Sequence, residues 1–251
     1  MTLDNLEFYS YCWMGVGVIA FIILQFFKAP YGKFTSNAWG PTIPNKLGWV
    51  IMEAIVIAFF AFYTFRNGAT FSPVEWVFIG LFLFHYTNRG FIFPFRTKTQ
   101  GKRMPVLISL LGVGHNWVNC FLIGSYLNQF ANYDNSWFYT PQFIIGIVVF
   151  SVGMFINWQS DNILINLRDK PGDGYKIPYG GMFKYVSCPN LMGEIIEWTG
   201  FAIMMWCVPS VAFVVFTACN LVPRALSTHE WYLNKFEDYP KNRKAIIPGL
   251  L

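Results

Sequence analysis

The chain has 251 residues, of which 55% are hydrophobic, 20% aromatic and only 12% charged. That balance leaves too little polar surface for a soluble domain and places the chain in a bilayer. The net charge of +5 does not require nucleic acid, because basic loops facing anionic headgroups account for the same residues.

A crossing helix needs about 20 mostly apolar residues, and the charges and turn residues leave seven windows of that kind. The first covers residues 8–27. Asp4 and Glu7 precede it where a signal peptide would be basic, so it is expected to remain as a span. The second, third, fourth and fifth cover 47–65, 74–93, 104–127 and 142–165. The sixth and seventh share the apolar stretch 191–222, too long for one crossing and interrupted at Pro209, where a helical hairpin can turn. One long kinked helix is the alternative.

Basic residues in short loops stay on the cytoplasmic side. With the N-terminus outside, seventeen of the eighteen Lys and Arg fall in inner segments 28–46, 89–103, 166–190 and 223–251, and only Arg66 lies outside. The expected fold is therefore all-α and integral to the membrane, with seven spans, N-terminus out and C-terminus cytoplasmic. A single membrane domain is expected, with neither internal repeats nor a linker. Cys12, Cys120, Cys188, Cys207 and Cys219 are odd in number, scattered, and lack metal-ligand spacing, which supports neither a disulfide framework nor a metal site.

Ionisable groups inside spans are costly and mark candidate sites. At 1.5 Å per residue, Glu53 is expected roughly 9 Å below the inner face and Tyr86 roughly 10 Å. Asn157 and Asp161 end the fifth window, while Glu194 and Glu197 begin the sixth. These six groups point to a polar cavity open to the cytoplasm; the alternative for Asp161, Glu194 and Glu197 is pairing with Arg168, Lys170 or Lys184 at the interface. His85 and Arg89 flank Tyr86 at helical spacing. His115, Asn116 and Asn119 read as interhelical hydrogen-bond glue. The inner segment from Arg168 to Pro178 mixes Arg and Lys with Gly, Pro and Tyr and can present guanidinium groups to phosphates. No GxGxxG follows a strand, so a bound dinucleotide would need no Rossmann domain.

The C-terminal third resembles the steroid 5α-reductase family. The likeness rests on Asn157-Trp158-Gln159-Ser160-Asp161, Leu167-Arg168, Tyr175-Lys176-Ile177-Pro178 with Gly180-Gly181, and Phe183-Lys184-Tyr185-Val186-Ser187. It continues through Asn190, Gly193-Glu194-Ile195-Ile196-Glu197-Trp198, Arg224-Ala225, His229 with Trp231-Tyr232, Phe236-Glu237-Asp238-Tyr239-Pro240 and Arg243-Lys244-Ala245-Ile246-Ile247-Pro248. The N-terminal half is similar through Glu53 and His85-Tyr86 followed by Arg89. Met52 stands where relatives often have Gln, and a histidine-rich stretch is reduced to Ser227-Thr228-His229-Glu230.

The resemblance implies a seven-helix fold with NADPH bound at a cytoplasmic mouth by spans 5–7 and the tail (about 142–251), and a lipid between spans 1–4 (about 1–127). It assigns Glu53 and Tyr86 to the substrate carbonyl. Arg168, Arg224, Arg103 and Lys102 would hold cofactor phosphates; Asn157, Asp161, Asn190 and Glu194 would take amide and ribose groups; Tyr175, His229 and Tyr232 complete the cofactor set. Trp49 and the phenylalanines of spans 1–4 would line a sterol slot. Hydride addition to an enone needs the carbonyl oxygen stabilised, by the Tyr86 hydroxyl and by Glu53 in the protonated form that an apolar setting favours. The expected enzyme is a monomer in the endoplasmic reticulum or a bacterial inner membrane.

Trans-2-enoyl-CoA and polyprenol reductases would share the tail motifs, but the compact length and Glu53 with Tyr86 favour a 3-oxo-4-ene steroid. A small-solute transporter would show inverted repeats and broken helices in matched positions, which the sequence lacks. A membrane methyltransferase would not carry the Glu-Asp-Tyr-Pro tail followed by Arg243-Lys244.

Overall fold

The computed structural model describes residues 1–30, 32–99, 101–167 and 174–251. Helix α1 covers Leu3–Phe26, α2 Asn45–Phe65, α3 Pro73–Thr87, α4 Phe93–Arg96, α5 Val106–Gln129, α6 Pro141–Asn166, α7 Pro189–Met205 and α8 Val208–Lys235. A short antiparallel ribbon pairs β1 (Thr42–Pro44) with β2 (Arg103–Pro105).

Among the described residues, five helices, α1, α2 with the turn that follows it, α5, α6 and α8, are long and apolar enough to cross a membrane. Helix α1 starts at Leu3, earlier than the apolar window, because Asp4 in its first turn complements the positive end of the helix dipole. Helices α3 and α7 have 15 and 17 residues, short of the roughly 20 that a crossing takes. Helix α3 is prolonged by a π-turn at Asn88–Ile92 and then by α4. Its start is fixed by a capping box in which the Ser72 hydroxyl accepts from the Glu75 N–H and the Glu75 carboxylate accepts from the Ser72 N–H. The long apolar stretch does fold as two helices. Helix α7 ends at Met205, Trp206 takes a left-handed φ of 48°, and α8 begins with Pro209 in its first turn, where a missing N–H costs nothing.

The chain divides into two compact units, Met1–Tyr11 with Ala29–Thr140, and Cys12–Lys28 with Pro141–Leu251. The first is built on α2 packed against α5, with aromatic rings filling the space between helices; Phe60 stacks on Phe82 at 4.2 Å and Phe82 meets Tyr86 at 4.8 Å. In the second, α6 and α7 lie backbone to backbone. Gly146 and Gly153 face Gly200 and Gly193, and a Cβ on any of the four would strike the partner helix's main chain. Small residues at heptad spacing are what allow two membrane helices to approach this closely.

Candidate functional site

In the first unit, α2 carries Trp49 and Glu53 on one face, four residues apart, and Glu53 is 9% exposed. The π-turn after α3 adds a residue to one helical turn, a distortion common at functional sites. It buries Arg89 with its guanidinium 5.2 Å from the Trp49 ring and 5.1 Å from the Phe93 ring. Gly90 lies against α2 so tightly that a Cβ there would sit 3.0 Å from the Ala54 backbone and 3.2 Å from the Glu53 carbonyl carbon. Tyr86, 4% exposed, is thereby brought beside the turn that holds Glu53. Asn116 joins the two: its Nδ2 donates to the Met52 carbonyl at 2.8 Å, and its Oδ1 accepts from the Tyr86 hydroxyl at 3.5 Å. Its role is thus more than the interhelical glue its position suggested, since it connects a candidate site hydroxyl to the backbone next to a candidate site acid. His115 and Asn119 instead pair within α5, at 2.9 Å.

In the second unit the glycine contact brings Asn157 of α6 to the start of α7. Its Nδ2 donates to the Asn190 carbonyl at 2.9 Å, and the Asn190 Nδ2 donates to the Asp161 carboxylate at 3.3 Å. Among the described residues, the Asn157 Oδ1 and the Ser160 hydroxyl are buried without a hydrogen-bond partner, which costs free energy unless a ligand supplies the missing groups. Glu194 lies one turn into α7 and Arg224 on α8. A groove of about 640 Å³, lined by Trp158, Gln159, Asn162 and Asn166 among others, runs along the α6 face turned away from α7 and contains none of the predicted site residues.

The C-terminal tail completes this unit. Val186 bridges Lys244 in parallel, with Ser187 N–H donating to the Lys244 carbonyl at 2.8 Å and Lys244 N–H to the Tyr185 carbonyl at 3.0 Å. Arg243, 3% exposed, donates to the Pro178 carbonyl at 3.0 Å and lies over the Tyr179 and Tyr239 rings. Tyr232 stacks on Tyr239 at 5.1 Å, Tyr175 meets Trp231 edge-on at 4.9 Å, and the Ser187 hydroxyl lies 2.6 Å from both His229 Nδ1 and the Tyr239 hydroxyl.

Lys102 and Arg103 belong to the first unit, where the Lys102 carbonyl accepts from Asn45 N–H and the Arg103 guanidinium is engaged by the Thr42 hydroxyl and carbonyl. Arg168 lies outside the described residues. Asn116, Ser187 and Tyr239 were not singled out as site residues; their partners are 30 to 64 positions away in sequence, a separation no local pattern reports.

Residues 102–251 match the family described as 3-oxo-5-alpha-steroid 4-dehydrogenase. The chain is 44% identical over 236 residues to a protein of Solanum lycopersicum named steroid 5-alpha-reductase DET2, covering 92% of this chain and 91% of that one. It is 40% identical over 249 residues to the DET2 protein of Gossypium hirsutum, with 96% of each chain covered. It is 38% identical over 251 residues to 3-oxo-5-alpha-steroid 4-dehydrogenase 1 of Bos taurus, covering 98% of this chain and 97% of the relative.

Proposed function

We propose, starting from the fact that this chain belongs to the 3-oxo-5-alpha-steroid 4-dehydrogenase family, that it reduces the conjugated double bond of a 3-oxo-4-ene steroid to the 5α-product with NADPH. The observation that supports this reading is that Tyr86 and Glu53 are both buried, with Asn116 accepting from the Tyr86 hydroxyl and donating to the Met52 carbonyl next to Glu53 in the chain.

In this reading the Tyr86 hydroxyl donates to the steroid carbonyl oxygen, and Glu53 donates as a neutral carboxylic acid. Both donors act where negative charge grows as the beta carbon is reduced, and so lower the barrier more than they stabilise bound substrate. Asn116 orients the Tyr86 hydroxyl, and the resulting enolate, its oxygen held by the hydrogen bonds from Tyr86 and Glu53, takes one proton from water at its alpha carbon to give the saturated ketone. Trp49 and its aromatic neighbours accept the steroid rings. NADPH, when bound, supplies the hydride.

The cofactor reading is supported by the donor and acceptor set of the second unit. Asn157 Oδ1 and the Ser160 hydroxyl suit an amide and sugar hydroxyls, Asp161, Asn190 and Glu194 extend that set, and Arg224 and Arg168 suit phosphates. Tyr175, His229 and Tyr232 belong to the same set, and Lys102 and Arg103 retain a lesser part in it.

Seven crossings follow if α3 is counted with its π-turn and α4, and if α7 spans a thinned or partly wet region. The concentration of basic residues in alternate loops supports an outside N-terminus and a cytoplasmic tail. One chain carries both residue sets, so a monomer suffices.

The test is NADPH oxidation by purified enzyme offered a 3-oxo-4-ene steroid, a trans-2-enoyl-CoA or a polyprenol. Turnover of the steroid alone is expected; turnover of either other substrate without the steroid overturns the assignment.

A further inference from the structure

The Ser187 hydroxyl has two neighbours at 2.6 Å, the His229 Nδ1 of α8 and the Tyr239 hydroxyl of the tail. Ser187 and Tyr239 are buried, at 3% and 2% exposure, so water does not complete this network. Each hydroxyl has one hydrogen to give, and a neutral imidazole has one protonated and one bare nitrogen. Two arrangements are therefore possible. In the first, Tyr239 donates to Ser187 and Ser187 donates to a bare Nδ1, so that the histidine hydrogen sits on Nε2. In the second, Nδ1–H donates to Ser187, Ser187 donates to Tyr239, and the Tyr239 hydrogen must find another acceptor. Among the described residues the Tyr239 hydroxyl has no hydrogen-bond partner besides Ser187, and a buried donor without an acceptor is costly. The first arrangement satisfies both hydroxyl hydrogens and leaves only the Nε2–H, on a half-buried ring, to be met by solvent or a ligand.

We infer that Ser187 and Tyr239 are positioning residues that hold His229 as its Nε2–H tautomer, making that N–H a fixed, neutral donor for an oxygen of the bound dinucleotide. The inference rests on the NADPH reading above for its ligand and on the hydroxyl chain for its tautomer.

The chain is held rigidly at both ends. Ser187 is fixed by its N–H bond to the Lys244 carbonyl, one residue into a stretch where Val186 bridges Lys244. Tyr239 is stacked on Tyr232, which lies one turn beyond His229 on α8, and is covered by the Arg243 guanidinium at 5.1 Å. The tail thus reaches back to set the state of a side chain on the helix that precedes it, much as a hydrogen bond to one imidazole nitrogen decides the chemistry of the other in metal and catalytic sites.

The chain has three histidines, His85, His115 and His229, so nitrogen NMR of histidine-labelled protein in detergent resolves each, with His229→Gln giving the assignment. The expected spectrum shows His229 with Nδ1 bare and Nε2 protonated. Ser187→Ala should yield a mixture of tautomers, Ser187→Thr should restore the single form, and Tyr239→Phe should give a smaller admixture because Ser187 can still donate. Added NADPH should shift the Nε2 signal of the unsubstituted protein, and Ser187→Ala should raise the KM for NADPH about fivefold, the weight of one hydrogen bond, with kcat changing less. A His229 that is Nδ1–H or doubly protonated, or one whose tautomer ignores Ser187→Ala in a protein that still runs as a monodisperse peak, overturns the inference whatever NADPH does. A tautomer that follows Ser187 while NADPH moves no histidine signal overturns the donor role and the cofactor reading, and leaves the hydroxyl chain as the cause of the tautomer.

Discussion

Around Asn157 the backbones of α6 and α7 touch through four glycines and the amide hydrogen bond to Asn190 measures 2.9 Å, whereas Tyr86 packs on the Phe82 ring and its hydroxyl reaches the Asn116 side chain at 3.5 Å. The first arrangement has little room to move, because packed main chains are bistable rather than gradually deformable. The second is held by side chains that can rotate. A rigid pocket suits a ligand held by many directional bonds, and an adjustable one suits a bulky apolar substrate that must enter and leave.

The largest effect is expected from breaking the rigid half. Gly153→Val places a branched side chain into the Glu197 main chain and should lower stability by about 3 kcal/mol or more, read as loss of the monodisperse peak or a fall in Tm. Gly15→Ala is the matched control, since a Cβ there meets nothing within 4 Å; its Tm should hold or rise slightly.

Loosening the adjustable half should affect rate. Asn116→Leu removes the amide linking Tyr86 to the Met52 carbonyl and should lower kcat about tenfold with a small change in steroid KM, an effect of roughly 1.4 kcal/mol on the barrier. Asn157→Ala should do the reverse, weakening NADPH about fivefold to tenfold for the loss of one or two hydrogen bonds while steroid KM stays put. If both substitutions change the same parameter, the division of labour between the units fails.

The smallest effect belongs to the loop after α5. The Ser136 hydroxyl and N–H hold the exposed Asp134 carboxyl below its ordinary 3.8. A folded-state value below the unfolded one means that its stabilising contribution is complete above the unfolded value and is lost as pH falls through the folded one. Ser136→Ala should therefore cost a slight amount of Tm at pH 6 and nothing at pH 2, measured by thermal melts at both.

Much of the architecture was legible because membrane helices announce themselves by apolar length. The windows at 47–65, 104–127 and 142–165 lie within a few residues of α2, α5 and α6, and Pro209 marked the hairpin. The π-turn at Asn88–Ile92 was not legible, since Asn88-Arg89-Gly90 reads equally well as an ordinary helix end and one extra residue in a turn leaves no periodic trace. Glu53, Tyr86, Asn157 and Asp161 stood out because polar groups are conspicuous in apolar stretches. Asn116 carried the same signal but gave no hint of which helix it would reach. Ser187 and Tyr239 sit in polar loops where a hydroxyl is ordinary, and their link to His229 exists only after the tail folds back. Arg103 has the right chemistry for a phosphate, and what the sequence did not show is that β1 pairs with β2 and engages the guanidinium with Thr42.

The central claim is that a phenol at position 86 stabilises charge on a ketone oxygen during hydride addition. Single-turnover reduction of a 3-oxo-4-ene steroid by Tyr86→Phe, at saturating NADPH, tests it most directly. The rate should fall about 100-fold or more, as when one donor to a developing oxyanion is removed, while NADPH binds with unchanged affinity. A rate within about twofold of the unsubstituted enzyme, less than 0.5 kcal/mol on the barrier, would contradict it.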